Sequence, residues 1–172
     1  MLFKNFATFL LLLLRITDIF FLMNKSKIKS MKLYNNVGRI FNELREIGKD
    51  KSKLLKVEDL IKFDQLHYCG IEAVDFAIKN TQINSNKSVL EIGSGIGGPA
   101  RYIGYKTRAS ITALELQADQ HNIAVDLTKK CKLLKIVNHI RGDILNYNWK
   151  NKKFDVVVSW LAFIILKIAT SY

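Results

Sequence analysis

Over residues 36–47 the apolar positions are Val37, Ile40, Phe41, Leu44 and Ile47, with Arg39, Glu43, Arg45 and Glu46 between them. That spacing gathers the apolar side chains on one face of a helix. A second helical piece is expected over 54–61. Residues 63–70 follow no period and end in Gly70, so they read as a loop. Helical spacing returns with Ile71, Val74, Ala77 and Ile78, and residues 80–86 are polar punctuation. Ahead of all these, residues 6–23 are almost continuously apolar, with Arg15 and Asp18 as their only charges.

From residue 88 the pattern changes. A short apolar strand over 88–92 runs into the glycine-rich stretch 93–98, and Pro99 then stands where a helix would begin. Proline suits a first helical turn, because its missing N–H would have no partner there. A second strand over 110–116 carries Glu115 near its end, and a helix over 118–131 turns Ile123, Ala124 and Leu127 inward. A third strand over 137–144 carries Asp143, and a fourth spans 154–160. Strands alternating with helices predict a parallel sheet with crossover helices, the doubly wound α/β architecture. No internal repeat is visible. The expected organisation is an apolar segment 1–23, a basic helical extension 24–62 and an α/β domain 63–172.

The length of 172 residues suits one domain and a short extension, and 49% hydrophobic against 24% charged residues excludes a wholly disordered chain. Cys69 and Cys131 are isolated, with no CxxC and no neighbouring histidine pair, so neither a disulfide framework nor a metal site is expected. The net charge of +12 concentrates between Lys25 and Lys56, where the acids are Glu43, Glu46 and Asp50. That segment has only Arg39 and Arg45 as arginines and Tyr34 and Phe41 as aromatics, so a solvated helical face is favoured over a nucleic-acid surface. In the apolar segment, Arg15 and Asp18 prevent the ~20 clean residues of a membrane span, and no small-x-small cleavage site follows. Three readings stand: weak membrane association through 6–23, an uncleaved targeting segment, or an extension upstream of a start at Met23 or Met31. The last is favoured and implies a cytoplasmic protein.

In an open parallel sheet, ligands bind at the carboxyl ends of the strands, beside the switch point in strand order. Here those ends carry Glu91 with the glycine loop, then Glu115, then Asp143, then Ser159 with Trp160. Glycines let backbone approach a ligand closely. A carboxylate after strand two can accept both hydroxyls of a ribose, and one after strand three an adenine amino group. Glu91 can help to hold an ammonium. Gly93, Gly95 and Gly98 also satisfy GxGxxG, which with Glu115 would suit a nicotinamide dinucleotide. Glu91, however, would set a negative charge beside a pyrophosphate, and Asp143 would be surplus. Three acids around a glycine loop suit a ligand bearing a sulfonium and an ammonium.

The run from Val89 to Arg101, VLEIGSGIGGPAR, resembles motif I of the class I, Rossmann-like methyltransferases, and its GGPAR ending resembles the form found in those acting on small molecules. Thr112 to Leu116 resembles the second motif of that family, Gly142-Asp143 the third and Phe154 to Trp160 the fourth. The resemblance implies S-adenosylmethionine as cofactor, held by Glu91, Gly93, Ser94, Gly95, Gly97, Glu115, Leu116, Asp143, Ile144 and Ser159. Asp64 to Gly70 resembles the entry segment ahead of the fold in such enzymes, which makes His67 and Tyr68 the candidate catalytic positions. His67 is the nominated base, should the acceptor need to lose a proton. The alternative for His67 is a loop histidine bonded to backbone; for Tyr68 and Trp160 it is burial in the core. The implied reaction is methyl transfer to a small molecule, at nitrogen.

A complete domain of that family has seven strands, and none can be written after the fourth, which runs into residues 161–168. The sheet is therefore expected to be incomplete, as in a truncated product or an incorrect gene model, with strand four an exposed apolar edge. Whether the chain is an enzyme stays open between four readings. It supplies the cofactor half of a methyltransferase, it is a non-catalytic fragment that pairs through that edge, it is a nicotinamide-dependent oxidoreductase, or it is a basic membrane-anchored adaptor.

Overall fold

Helix α1 runs Arg39–Glu46. Its inner face is narrower than the pattern predicts: Ile40 and Leu44 are buried, while Phe41 and Ile47 are exposed. The two buried residues pack against Leu55, Leu60 and Leu127, which is one neighbouring surface and not a groove. The computed structural model describes residues 38–160. The expectations placed on residues 1–37 and 161–172, including the apolar segment, fall outside the described residues.

The helix expected over 54–61 is instead a 3₁₀ turn at Val57–Asp59 followed by the single turn α2, Ile61–Asp64. Two local bonds explain the difference. The Leu55 N–H donates to the Lys130 carbonyl at 3.1 Å, tying the chain to another element, and the Lys56 N–H donates to Asp59 Oδ2 at 2.9 Å, closing the turn. The predicted loop consequently starts at Gln65, not Phe63, and ends at α3, Gly70–Asn80, whose Val74 is fully buried.

Strand β1, Ser88–Ile92, leads through the glycine run into α4, Gly98–Thr107. Then come β2, Ser110–Glu115, and α5, Ala118–Lys130. Strands β3, Val137–Arg141, and β4, Val156–Val158, complete a four-stranded sheet. All pairings are parallel, in the order β3-β2-β1-β4. Val89, Ile111, Ala113, Val137 and Val158 share one core with Ala100 and Ile103 of α4 and Val74 of α3. This is the predicted Rossmann-like α/β sheet, with a helical extension ahead of it.

Three strands end earlier than predicted, β2 by one residue and the other two by more. β3 stops at Arg141, because Gly142 makes the last bond to the Glu115 carbonyl (2.9 Å) and Asp143 then folds the chain into a turn. Its Oδ1 accepts the Leu145 N–H at 3.0 Å and its Oδ2 the Asn146 side chain at 2.9 Å. β4 keeps three residues, and Ser159 and Trp160 bend out of the ladder. After β3 the chain returns past β1 to place β4 on its other side, so the strand order reverses at β1. The crevice beyond the ends of β1 and β4 is therefore the place where such a sheet receives a ligand. No helix among the described residues is long and apolar enough to cross a membrane.

Candidate functional site

The loop after β1 is shaped by left-handed backbone at Gly93, Gly95 and Gly97. The Gly93 and Ser94 N–H groups both donate to the Leu114 carbonyl, at 2.9 and 3.0 Å, which folds the loop over the end of β2. Two of its glycines are needed for space as well. A Cβ on Gly97, which has φ of +80°, would lie 2.7 Å from His139 Cε1, and one on Gly98 would collide with the Asp64 carbonyl. The second half of the glycine run thus faces protein, while the first half faces a cavity.

That cavity is lined by Glu91, Ser94, Gly95, Pro99 and Gln120, together with Asp64, Leu66, His67 and Trp160. Glu91 is 1% exposed; no side chain bonds its carboxyl, and the Ala100 N–H is the backbone donor that draws on it. Burial pushes its pKa up from 4.5 to about 8, against the pull of Arg101 and with a further push from Glu115. Ser94 Oγ and Trp160 Nε1, which also line the cavity, are buried without partners, as is Ser159 Oγ outside the lining. Unpartnered polar atoms are rare in a protein interior, so those that line the cavity suit a polar occupant.

Glu115 stands behind the loop. Its Oε2 accepts the Gly95 N–H and its Oε1 the Gln117 N–H, both at 2.8 Å. Burial raises its pKa, and these backbone bonds oppose the rise. The Leu116 N–H also draws on the carboxyl, which leaves it part of its acceptor capacity. His67 stacks on Trp160 with centroids 4.9 Å apart, its Nδ1 lies 3.0 Å from the Tyr68 carbonyl and its Nε2 3.2 Å from Gln65 Oε1. Both ring nitrogens thus face carbonyl oxygens of the loop, to one of which a neutral imidazole can donate. Tyr68 is exposed and does not line the cavity, and Leu116 is exposed past the end of β2. Asp143 and Ile144 sit in the half-buried turn after β3, outside the cavity lining.

The structure therefore brings together Glu91, Gly93, Ser94, Gly95 and His67, with Glu115 bonded to their loop and Ser159 adjoining Trp160. Sequence reasoning missed Leu66, Gln120 and the role of Arg101. Arg101 is 0% exposed and pairs with Asp64 at 3.0 Å. A signal existed: one arginine within the small and apolar inner residues Ala100, Ile103 and Gly104 needs a buried acid for company.

Residues 89–170 match the family described as a methyltransferase domain. With the sheet order and the glycine loop, this makes that stretch similar to the class I, Rossmann-like S-adenosylmethionine-dependent methyltransferases. Among its relatives, the sterol 24-C-methyltransferase of Debaryomyces hansenii is 35% identical over 82 residues, which are 48% of this chain and 22% of that protein. The phosphoethanolamine N-methyltransferase of Plasmodium falciparum is 29% identical over 100 residues, 58% of this chain and 36% of that one. The solved tRNA (m1A58) methyltransferase of Aquifex aeolicus shares the fold with a TM-score of 0.53 and 18% identity, over 61% of this chain and 43% of that one. The chain spans about a fifth of the length of the sterol methyltransferases it matches.

Proposed function

We propose that the crevice binds S-adenosylmethionine and that the domain takes part in methyl transfer to a small molecule at nitrogen. Glu91 carries this reading. A fully buried carboxyl that no side chain partners is costly to ionise, and a cation in the cavity would favour its ionised form. The ammonium of the cofactor supplies that cation, whereas a pyrophosphate would make matters worse. Trp160 Nε1 adds a donor suited to the carboxylate of the same amino-acid end, and Ser94 Oγ serves either group. The remaining acceptor positions of Glu115 suit ribose hydroxyls.

When bound, the cofactor supplies a methyl group already activated on a sulfonium. The work left to the protein is alignment and exclusion of water. Leu66, His67 and Trp160 lie where a cover is needed. The nitrogen acceptor rests on the motif resemblance and on the name of the Plasmodium relative. The names of the yeast relatives point to carbon, so an acceptor screen has to carry sterols beside amines.

Calorimetry of the folded protein with S-adenosylmethionine tests the reading. Binding in the micromolar range, lost in Glu91→Ala, is the expected outcome. A folded sample that releases no heat removes the catalytic reading and leaves the non-catalytic fragment as the better account.

A further inference from the structure

Residues 65–69 form no regular element, yet they deliver Leu66 and His67 to the cavity wall. What fixes them lies one residue upstream. Asp64 Oδ2 accepts a bond from Arg101 Nη2 at 3.0 Å, and both side chains are almost wholly inaccessible. Arg101 is held from the other side as well. Its Nη1 donates to the Ala124 carbonyl and to Thr128 Oγ1, both at 3.3 Å, and Thr128 Oγ1 lies 2.8 Å from His139 Nε2 on β3. The backbone of Asp64 rests directly on Gly98, where any side chain would strike its carbonyl. Downstream, Asp64 Oδ1 accepts the Gln65 amide at 2.9 Å, and Gln65 Oε1 lies 3.2 Å from His67 Nε2. Contacts therefore run without a break from β3 through Arg101 and Asp64 to the imidazole stacked on Trp160.

We propose that Asp64 and Arg101 are positioning residues for the cavity: their ion pair, seated on Gly98, sets where Leu66 and His67 stand over the glycine loop. Two physical points separate this from ordinary packing. A buried ion pair gains little or no stability over apolar side chains of similar volume, so its value lies in direction. A guanidinium presents several donors in a fixed fork, which lets one side chain serve Asp64, Ala124 and Thr128 at once; an ammonium offers no such plane. What is positioned matters through the cofactor reading above, but the positioning itself can be seen without any ligand.

The chain has two tryptophans, so Trp149→Phe leaves Trp160 as the sole emitter. In that background, His67→Ala defines the emission of Trp160 without its stacking partner. Asp64→Asn is expected to shift intensity and wavelength to that same value. Gly98→Ala, which leaves the charges alone and adds only a methyl group against the Asp64 carbonyl, is expected to do likewise. Adding Asp64→Asn to His67→Ala should change emission no further, as for two residues acting through one contact. The single variants should also weaken S-adenosylmethionine binding by roughly tenfold or more, by analogy with the outer-shell partners of metal ligands. Arg101→Lys stands in if Asp64→Asn does not fold. Variants that lower only the thermal midpoint, with emission and affinity unchanged, overturn the proposal. An additional emission change in the double variant overturns it too. If the parent protein binds no cofactor, the emission data still decide the positioning claim, and the failure belongs to the functional reading alone.

Discussion

At the scale of single residues, one buried and one half-buried group give the protein opposing responses to pH. Glu91 has its carboxyl raised from 4.5 to about 8, first by burial. In the folded state it keeps a proton that the unfolded chain has released, so its contribution to stability is complete below 4.5 and is lost as pH rises through about 8. His139 is the reverse case. Burial, aided by Arg101 and His121, lowers its pKa from 6.5 to about 3. Its contribution is present above 6.5 and is lost as pH falls towards about 3. The thermal midpoint should therefore trace a dome, with Glu91→Gln flattening the alkaline limb and His139→Asn the acid limb. In the same Glu91→Gln variant, affinity for a cationic ligand should stop rising with pH. A midpoint profile that Glu91→Gln leaves unchanged would mean that Glu91 is already ionised, with a counter-charge near it. The glycine loop and the acids at the strand ends were legible because each follows an apolar run directly. His139 and Arg101 were not, since their surroundings come from β3, α4 and α5 together and no local pattern records them.

At the scale of elements, energetic weight follows contact and not periodicity. The α1 pattern offered five apolar positions, and of the four among the described residues only Ile40 and Leu44 are buried. Leu44→Ala should cost roughly 2–5 kcal/mol, the range for emptying a packed leucine site. Phe41→Ser should stay within about 0.5 kcal/mol, as an exposed change does. Urea denaturation of both variants gives the comparison, and equal losses would show that α1 buries a wider face. A sharper case is the glycine loop. Gly97→Ala has to accept both a left-handed φ and a Cβ 2.7 Å from His139 Cε1, so two penalties add at one position. A destabilisation of about 2 kcal/mol or more is expected, well above that of Gly48→Ala, where φ is also positive but nothing lies within 4 Å. β1 and α5 were legible to within a residue, β1 because its apolar run stops at glycine and α5 because its inward residues keep helical spacing. The end of β3 was missed because Asp143, which looks like part of the strand in sequence, uses its side chain to close a turn.

At the scale of the whole molecule, the sheet couples its far edge to the ligand crevice. β4 pairs with β1 through three residues, and its register is clamped at the lower end by Asp155 and Ser88. Asp155 Oδ2 accepts both the Ser88 N–H and its hydroxyl at 2.7 Å, and the Asp155 N–H returns a bond to the Ser88 carbonyl at 2.9 Å. These bonds to Ser88 hold the Asp155 carboxyl below its ordinary range. The clamp is therefore in place above that range and loosens as pH falls through the lowered value. At the upper end the same short strand delivers Ser159 and Trp160 to the crevice. A three-residue ladder has little to keep it in register except its clamp, so the two ends should respond together. Asp155→Ala should speed amide exchange at Val156–Val158 while leaving the β2–β3 ladder, Ile111 to Arg141, protected as before. It should also disturb the stacking of Trp160 on His67 and weaken ligand binding, although the substitution lies at the opposite end of the strand from the crevice. Local exchange without any change at Trp160 would show that the upper end of β4 is held by the cavity wall, chiefly His67. In that event the crevice would be organised by the Asp64–Arg101 pair, independently of the sheet edge.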